Sequence, residues 1–195
     1  MVPALTTLRM MLQPLRLEDA EQTQPLFARW EIVQYLNSRV PWPFPDSGCL
    51  SYYRDSALPA MAEGREWHWT LRLKEAPGRI IGSICLVRGE KTNRGFWLGM
   101  PWHGRGLMTE AVAAVNDYWF DALGEAVLRV PKATRNVASR RISEKTGMRV
   151  VERMEDGYVG GVMPAELWEQ TAEEWRACRR KLLEGIERRA DEERR

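Results

Sequence analysis

The stretch Gly95-Phe96-Trp97-Leu98-Gly99-Met100-Pro101-Trp102-His103-Gly104-Arg105-Gly106-Leu107-Met108-Thr109-Glu110 decides how the chain is read. Gly95 to Gly99 is short, aromatic and apolar, as a strand is. From there on Leu107, Met108, Ala111, Val112, Val115, Tyr118 and Trp119 recur at helical spacing, and Gly124 stands where a C-terminal cap belongs. A strand therefore runs into a glycine turn, and the turn opens a helix of about five turns. The first amides of such a helix have no partner within it, and its dipole adds partial positive charge, so the turn can cradle a phosphate. Glycines at strand–helix junctions also occur for the turn alone. No Gly-Lys-Ser/Thr triplet follows, which excludes the hydrolase type of phosphate loop. The third glycine of the dinucleotide fingerprint is Thr109, which excludes that reading too.

Downstream, Ala126 to Val130 reads as a strand cut by Pro131. Asn136 to Thr146 reads as a helix capped by Asn136 and stopped by Gly147. Asn136, Ser139 and Ser143 share one face of that helix. Met148 to Met154 is a strand, Asp156-Gly157 a turn, and Tyr158 to Gln170 the returning arm. Thr171-Ala172-Glu173-Glu174 is a capping box opening a last helix. Trp175, Cys178, Leu182 and Ile186 stripe that helix, which dissolves into a charged tail from Arg188 to Arg195.

Upstream, Arg9 to Leu17 reads as an edge strand, because Pro14 is tolerable only there or at a bulge. Asp19 is a candidate N-cap for a helix that Pro25 kinks or restarts, and Phe27 to Leu36 is a second helical piece. Pro41-Trp42-Pro43-Phe44-Pro45 is neither helix nor strand; it is a stiff loop with apolar faces, either covering the core or walling a groove. Leu50 to Ala62 is helical. Trp67 to Leu73 and Arg79 to Val87 form a hairpin that leads into the strand at Phe96.

The chain has 195 residues, 44% of them hydrophobic and 29% charged, enough for one domain with a sizeable core. A net charge of +2 with interspersed signs excludes a dedicated nucleic-acid binder. Three scattered cysteines and two histidines leave no metal-ligand spacing and suit a reduced, cytoplasmic protein. No apolar run reaches membrane-spanning length, and no signal-peptide core opens the chain.

Three features together resemble the GNAT superfamily of acetyl-CoA-dependent N-acetyltransferases, within it the RimJ/RimL branch that acetylates ribosomal-protein N-termini. His103-Gly104-Arg105-Gly106-Leu107-Met108 resembles the family's Gln/Arg-x-x-Gly-x-Gly/Ala loop. Asn136, Ser139 and Gly147-Met148 resemble its Asn-x-x-Ser/Ala helix. Leu15-Arg16-Leu17-Glu18-Asp19 resembles the branch's opening. The resemblance implies an α+β GNAT fold: a mixed, mostly antiparallel twisted sheet of about seven strands, splayed at the coenzyme site, with helices on both faces. It implies a domain over residues 1–177, with 178–195 the end of the C-terminal helix and its tail.

It also implies acetyl-CoA as co-substrate, with no metal. Coenzyme-binding residues would be Trp97, Leu98, Gly99, His103, Gly104, Arg105, Gly106, Leu107, Met108, Thr109, Asn136 and Ser139, with Asn136 and Ser139 at the reacting thiol. Many relatives carry a tyrosine acid where this chain has Ser143, so protonation of the thiolate falls to Ser139, Ser143 or water. An acid often found at the first motif strand is Asn93 here. The general base is unassigned; Glu31, Glu66, Glu90, Glu152 and Glu166 are candidates by type. The acceptor, a peptide N-terminus or a small amine, would enter between Tyr35, Trp42 and Phe44 on one side and Gly157 to Gly161 on the other. The resemblance suits a monomer or homodimer. The other reading is a non-catalytic acetyl-CoA-binding sensor or interaction module.

Overall fold

The computed structural model describes residues 1–193. Among the described residues, eight strands form two antiparallel sheets. The first holds β1 (Leu5–Thr6), β2 (Met10–Pro14), β3 (Glu66–Leu73), β4 (Ile80–Val87) and β5 (Arg94–Leu98), in that spatial order. The second runs β6 (Val127–Ala133), β8 (Gly161–Thr171), β7 (Arg149–Tyr158). The α-helices among the described residues are α1 (Asp19–Phe27), α2 (Trp30–Val33), α3 (Gly48–Tyr52), α4 (Leu58–Ala62), α5 (Leu107–Asp117), α6 (Val137–Lys145) and α7 (Ala172–Glu193). No helix among the described residues is long and apolar enough to cross a membrane.

Several sequence expectations are corrected in detail. The first long strand is not at the edge, because the short β1 pairs outside it at Met11 and Leu12. Pro14 is tolerated since it closes β2 opposite Trp69, beyond the reach of β1. Asp19 does not cap α1 but lies in its first turn, where Oδ2 accepts from the Arg16 N–H at 2.9 Å and Oδ1 from Arg72 Nη2 at 2.7 Å. Helix α3 widens into a π-turn at Tyr53–Ala57 before α4. The wide turn sits where Pro59 removes the bond to Asp55 and crowds that carbonyl. Strand β7 runs through Asp156-Gly157 to Tyr158, and the turn of its hairpin falls at Val159 and Gly160. Helix α7 continues across the expected tail as far as Glu193, burying Ile186 and Ala190; Arg194 and Arg195 lie outside the described residues.

Alternation along β5 separates the two faces of the first sheet. Phe96 and Leu98 join the main core with Leu107, Ala111, Val112 and Val115 of α5. Trp97 points the other way, with its ring 5.5 Å from that of Phe27 on α1. Helices thus cover both faces. The capping box at α7 is present in full: the Thr171 N–H donates to Glu174 Oε2 at 2.7 Å, and the Glu174 N–H to Thr171 Oγ1 at 3.2 Å.

Candidate functional site

The two sheets meet at one point and then diverge. The Asn93 N–H donates to the Arg129 carbonyl at 2.8 Å, and Asn93 Oδ1 accepts from the Arg129 N–H at 2.7 Å. Asn93 Nδ2 also donates to Gly89 O at 2.6 Å and to Val87 O at 3.2 Å. The residue in place of an expected acid is therefore a bolt between sheets. Beyond it β5 and β6 share no ladder among the described residues. Because Arg129 turns its N–H and C=O toward β5, alternation turns those of residue 131 the same way. Position 131 is a proline, whose missing donor faces the opening where no strand needs it. That is why β6 runs through Pro131 instead of stopping there.

At the far end of β5 the chain passes through a single 3₁₀ turn, Met100–Trp102, into the glycine turn. The His103 ring folds back, its Nε2 2.6 Å from Leu98 O, and so fixes the turn against the strand end. Gly104 and Gly106 have φ of 78° and 74°, a region that costs an L-residue about 1–2 kcal/mol. The first helical bond of α5 runs from the Glu110 N–H to Gly106 O at 3.1 Å. Among the described residues, the amides from Gly104 to Thr109 donate to no protein acceptor. The glycine turn expected from the sequence is thus formed, and its amides are left free of protein partners.

Its surroundings were not legible in the sequence. Glu110, buried in the first turn of α5, accepts from Thr7 Oγ1 at 2.5 Å and from the N–H and Nε of Arg9 at 2.7 and 2.9 Å. This ties Arg9 beside Gly106. A Cβ on Gly106 would lie 3.6 Å from Arg9 Nη2 and 3.1 Å from Arg189 Nη1 of α7. Gly106 and Thr109 open into a cavity of about 410 Å³ whose wall also includes Lys145, Lys181 and Arg189. Basic groups gathered at the positive end of a helix suit an anion between them.

Helix α6 covers the divergence. Asn136 is its N-cap, with Oδ1 accepting from the Ser139 N–H at 3.1 Å, so the asparagine oxygen is engaged in capping. Ser139 and Ser143 are both buried, and the Ser143 hydroxyl has no partner among the described residues. Ser139 Oγ accepts from Lys132 Nζ at 2.7 Å. Lys132 was not singled out from the sequence. The signal was there: on β6, Leu128, Val130 and Lys132 share the buried face. Burial, and secondarily Arg94, holds its ammonium well below the usual lysine range. Arg94 is buried as well, bonded to Asn116 Oδ1 and to Met148 Sδ at 3.5 Å, and burial pushes it down to about 9.

The residues expected at the acceptor side part company. Phe44 packs into a satellite core with Cys49 and Tyr53, its ring 4.9 Å from Phe27. Tyr35 packs against Ala133, Tyr158 and Ala165. The segment around it is hydrogen-bonded to the β7–β8 turn, through Ser38 N–H to Gly157 O at 3.1 Å and Val159 N–H to Leu36 O at 2.9 Å. The two expected walls are thus in direct contact at this point. Trp42 alone stays 43% exposed, with its ring 5.4 Å from that of Trp30, which is 41% exposed. Tyr158, whose buried hydroxyl is also without a partner among the described residues, belongs to the same cluster.

Of the candidate bases, Glu31 and Glu90 are exposed. Glu66 lies 2.6 Å from His68, and Glu152 3.5 Å from Lys91. Glu166 is not an ordinary solvated carboxylate: it is buried and accepts from Arg140 Nε at 3.0 Å.

Residues 9–149 match the family model described as Acetyltransferase (GNAT) domain. "Probable N-acetyltransferase YjcK" of Bacillus subtilis is 32% identical over 92 residues, 45% of this chain and 50% of YjcK; the chain thus spans about half that relative's length. "Putative ribosomal N-acetyltransferase YdaF" of the same organism is 26% identical over 156 residues, 74% of this chain and 81% of YdaF. Mycobacterium smegmatis RimJ, solved in complex with CoA-disulfide, superposes with a TM-score of 0.78 at 20% identity, over 95% of each chain. That structure shares the fold; the domain model, matched over well over half of the residues, sets the family. The chain belongs to the GNAT acetyltransferases.

Proposed function

We propose that the protein transfers the acetyl group of acetyl-CoA to a primary amine, by direct attack with both substrates bound, and that the amine is a peptide N-terminus of the ribosomal-protein type or a small amine. The observation that carries this reading is the divergence of β5 from β6 beside a glycine turn with unpaired amides. GNAT acetyltransferases use acetyl-CoA, and the residues present fit it. The amides from Gly104 to Thr109 suit its diphosphate, and the open strand edges from Trp97 to Gly99 suit its amide-bearing arm. When bound, the coenzyme supplies the activated acyl group.

The chain's own residues do the rest. Leu107 and Met108 anchor the first turn of α5, and the amides before it, in the core. His103 holds the Leu98 carbonyl, fixing the end of β5. The Asn136 cap holds Ser139 at the start of α6, facing Lys132. Placing an uncharged amine next to an activated acyl group supplies much of the acceleration by itself. YdaF's name supports a ribosomal acceptor. The exposed Trp30–Trp42 pair supports an apolar acceptor wall. The same reading places the protein in the cytoplasm, as one copy or two.

The test is thiol release from acetyl-CoA over a panel of N-terminal peptides and small amines, with acetylation of the peptide read by mass. Turnover on at least one acceptor is expected. Tight acetyl-CoA binding without turnover on any of them would instead indicate a binding module.

A further inference from the structure

Lys132 lies on a strand face otherwise given to Leu128 and Val130, and is 6% exposed. No carboxylate among the described residues is within ion-pairing distance of its Nζ. Glu166, which faces it across the β6–β8 ladder, is already held by Arg140 at 3.0 Å and approached by Arg153 at 3.7 Å. From β5 come Arg94, of like charge, and the Phe96 ring, 5.1 Å from Nζ. From α6 comes Ser139 Oγ, at 2.7 Å. A buried amine that is offered no counter-charge and one hydroxyl is poorly explained as a structural ion pair.

We propose that Lys132 and Ser139 form a proton relay: Ser139 gives its hydroxyl proton to the departing sulfur and is reprotonated by Lys132. The inference rests on the transferase reading above. Two features of the geometry support it. Nζ donates to Oγ, which uses a lone pair of that oxygen and turns the serine O–H away from the lysine. The Asn136 cap holds the Ser139 backbone, and with it the root of that side chain, beside Lys132.

The step balances. A carbon–nitrogen bond forms, the carbon–sulfur bond breaks, and its electron pair goes to sulfur. The attacking nitrogen sheds one proton to neutral Lys132 Nζ. Nζ passes a proton to Oγ as the Ser139 hydroxyl proton goes to sulfur. Lys132 begins and ends neutral, and the net transfer is one proton from nitrogen to sulfur. Lys132 reaches the sulfur only through Ser139, and toward that atom it is a positioning residue. Activity then rises with pH as Lys132 loses its resting proton.

Lys132→Met and Lys132→Arg test this, compared with wild type by the pH dependence of kcat and by NMR titration of 13C-labelled lysines in the protein alone. Lys132→Met should lower kcat by about 10²-fold, the usual scale of proton-transfer catalysis, with KM for acetyl-CoA changed by less than about threefold. Lys132→Arg keeps the charge but does not release its proton, and should not restore activity. The acid limb of the kcat profile should vanish in both. The wild-type spectrum should show one lysine titrating well below the others, and Lys132→Arg assigns it by its disappearance. The relay is overturned if Lys132→Met turns over within about threefold of wild type, or if the assigned signal titrates near ~10.4 with the surface lysines. Should Lys132→Met fail to fold, Lys132→Arg and the spectrum decide. A wild type that releases thiol with no acceptor sinks the transferase reading and the relay with it. Turnover by wild type and Lys132→Met alike sinks the relay alone.

Discussion

Asn93 and Arg129 are joined by two hydrogen bonds, and they form the closed end of the gap between the sheets. Asn93 is buried and makes five bonds in all, with the backbones of Arg129, Gly89 and Val87. Asn93→Ala keeps the two backbone bonds but strands the Arg129 N–H and two carbonyls. At about 1 kcal/mol for each net bond lost, and more for a buried group left unpaired, it should destabilise by about 2–4 kcal/mol. Urea denaturation with an unchanged m-value checks this. Asn93→Asp should also destabilise, because a carboxylate cannot donate to Gly89 O and Val87 O. An aspartate variant as stable as wild type would show that those two donors contribute nothing.

Gly106→Val should weaken acetyl-CoA binding at least ~10-fold by calorimetry, which corresponds to ~1.4 kcal/mol. The φ of 74° is unfavourable for a β-branched residue, so the turn must shift and its amides with it. The clash with Arg189 Nη1 is with the end of a flexible side chain and contributes little. Arg105→Ala, at an exposed position, should change affinity by less than about threefold. Unchanged affinity in Gly106→Val would place the phosphate contacts elsewhere.

How much of this was legible depends on range. The glycine turn, the Asn136 cap and the Thr171–Glu174 box are local, and each is set by residues within a few positions of one another. What the sequence hid is nonlocal. Glu110 reads as an ordinary first-turn acid, yet it holds Arg9, 101 residues away. Pro131 reads as a strand breaker until one knows that its nitrogen faces a gap. Lys132 reads as solvated because lysines usually are, and only the burial of its face reverses that. The β7–β8 turn falls at Val159-Gly160 although Asp156-Gly157 carries the stronger turn signal. The chain overrides that signal by pairing Gly157 and Tyr158 into the ladder and bonding the tip to residues 34–38.

Trp42 and Phe44 sit two residues apart in one loop but should respond differently. Phe44 is partly buried between Phe27 and the Cys49–Tyr53 cluster, so Phe44→Ala should lower stability by about 2–4 kcal/mol, somewhat less than for a fully buried ring. Trp42 is 43% exposed and touches Trp30. Trp42→Ala should raise KM for the acceptor about tenfold or more, with melting temperature and acetyl-CoA affinity nearly unchanged, an effect of about 1.4 kcal/mol. Steady-state kinetics with a melting curve separates the two. A large loss of stability with unchanged KM would assign Trp42 to packing.

The buried amine of Lys132 should leave a mark on stability that is independent of any catalytic assay. In the unfolded chain a lysine titrates near ~10.4. In the fold, burial and Arg94 hold Lys132 well below that. Between the two pKa values the unfolded chain binds one more proton at this position, so stability rises with pH across the window and is lost as pH falls through it. Lys132→Met fills similar space and removes this dependence. It should gain on wild type by about 1–3 kcal/mol near neutral pH, the scale of exposing versus burying an inadequately paired polar group. Loss of the Nζ–Oγ bond works against the variant by about 1 kcal/mol, but that term does not vary with pH in the same way. The slope is therefore diagnostic and the absolute stability is not. Urea melts at several pH values should show the difference between variant and wild type shrinking as pH approaches the unfolded pKa. A difference that stays constant from neutral pH upward would mean that Lys132 keeps its proton in the fold.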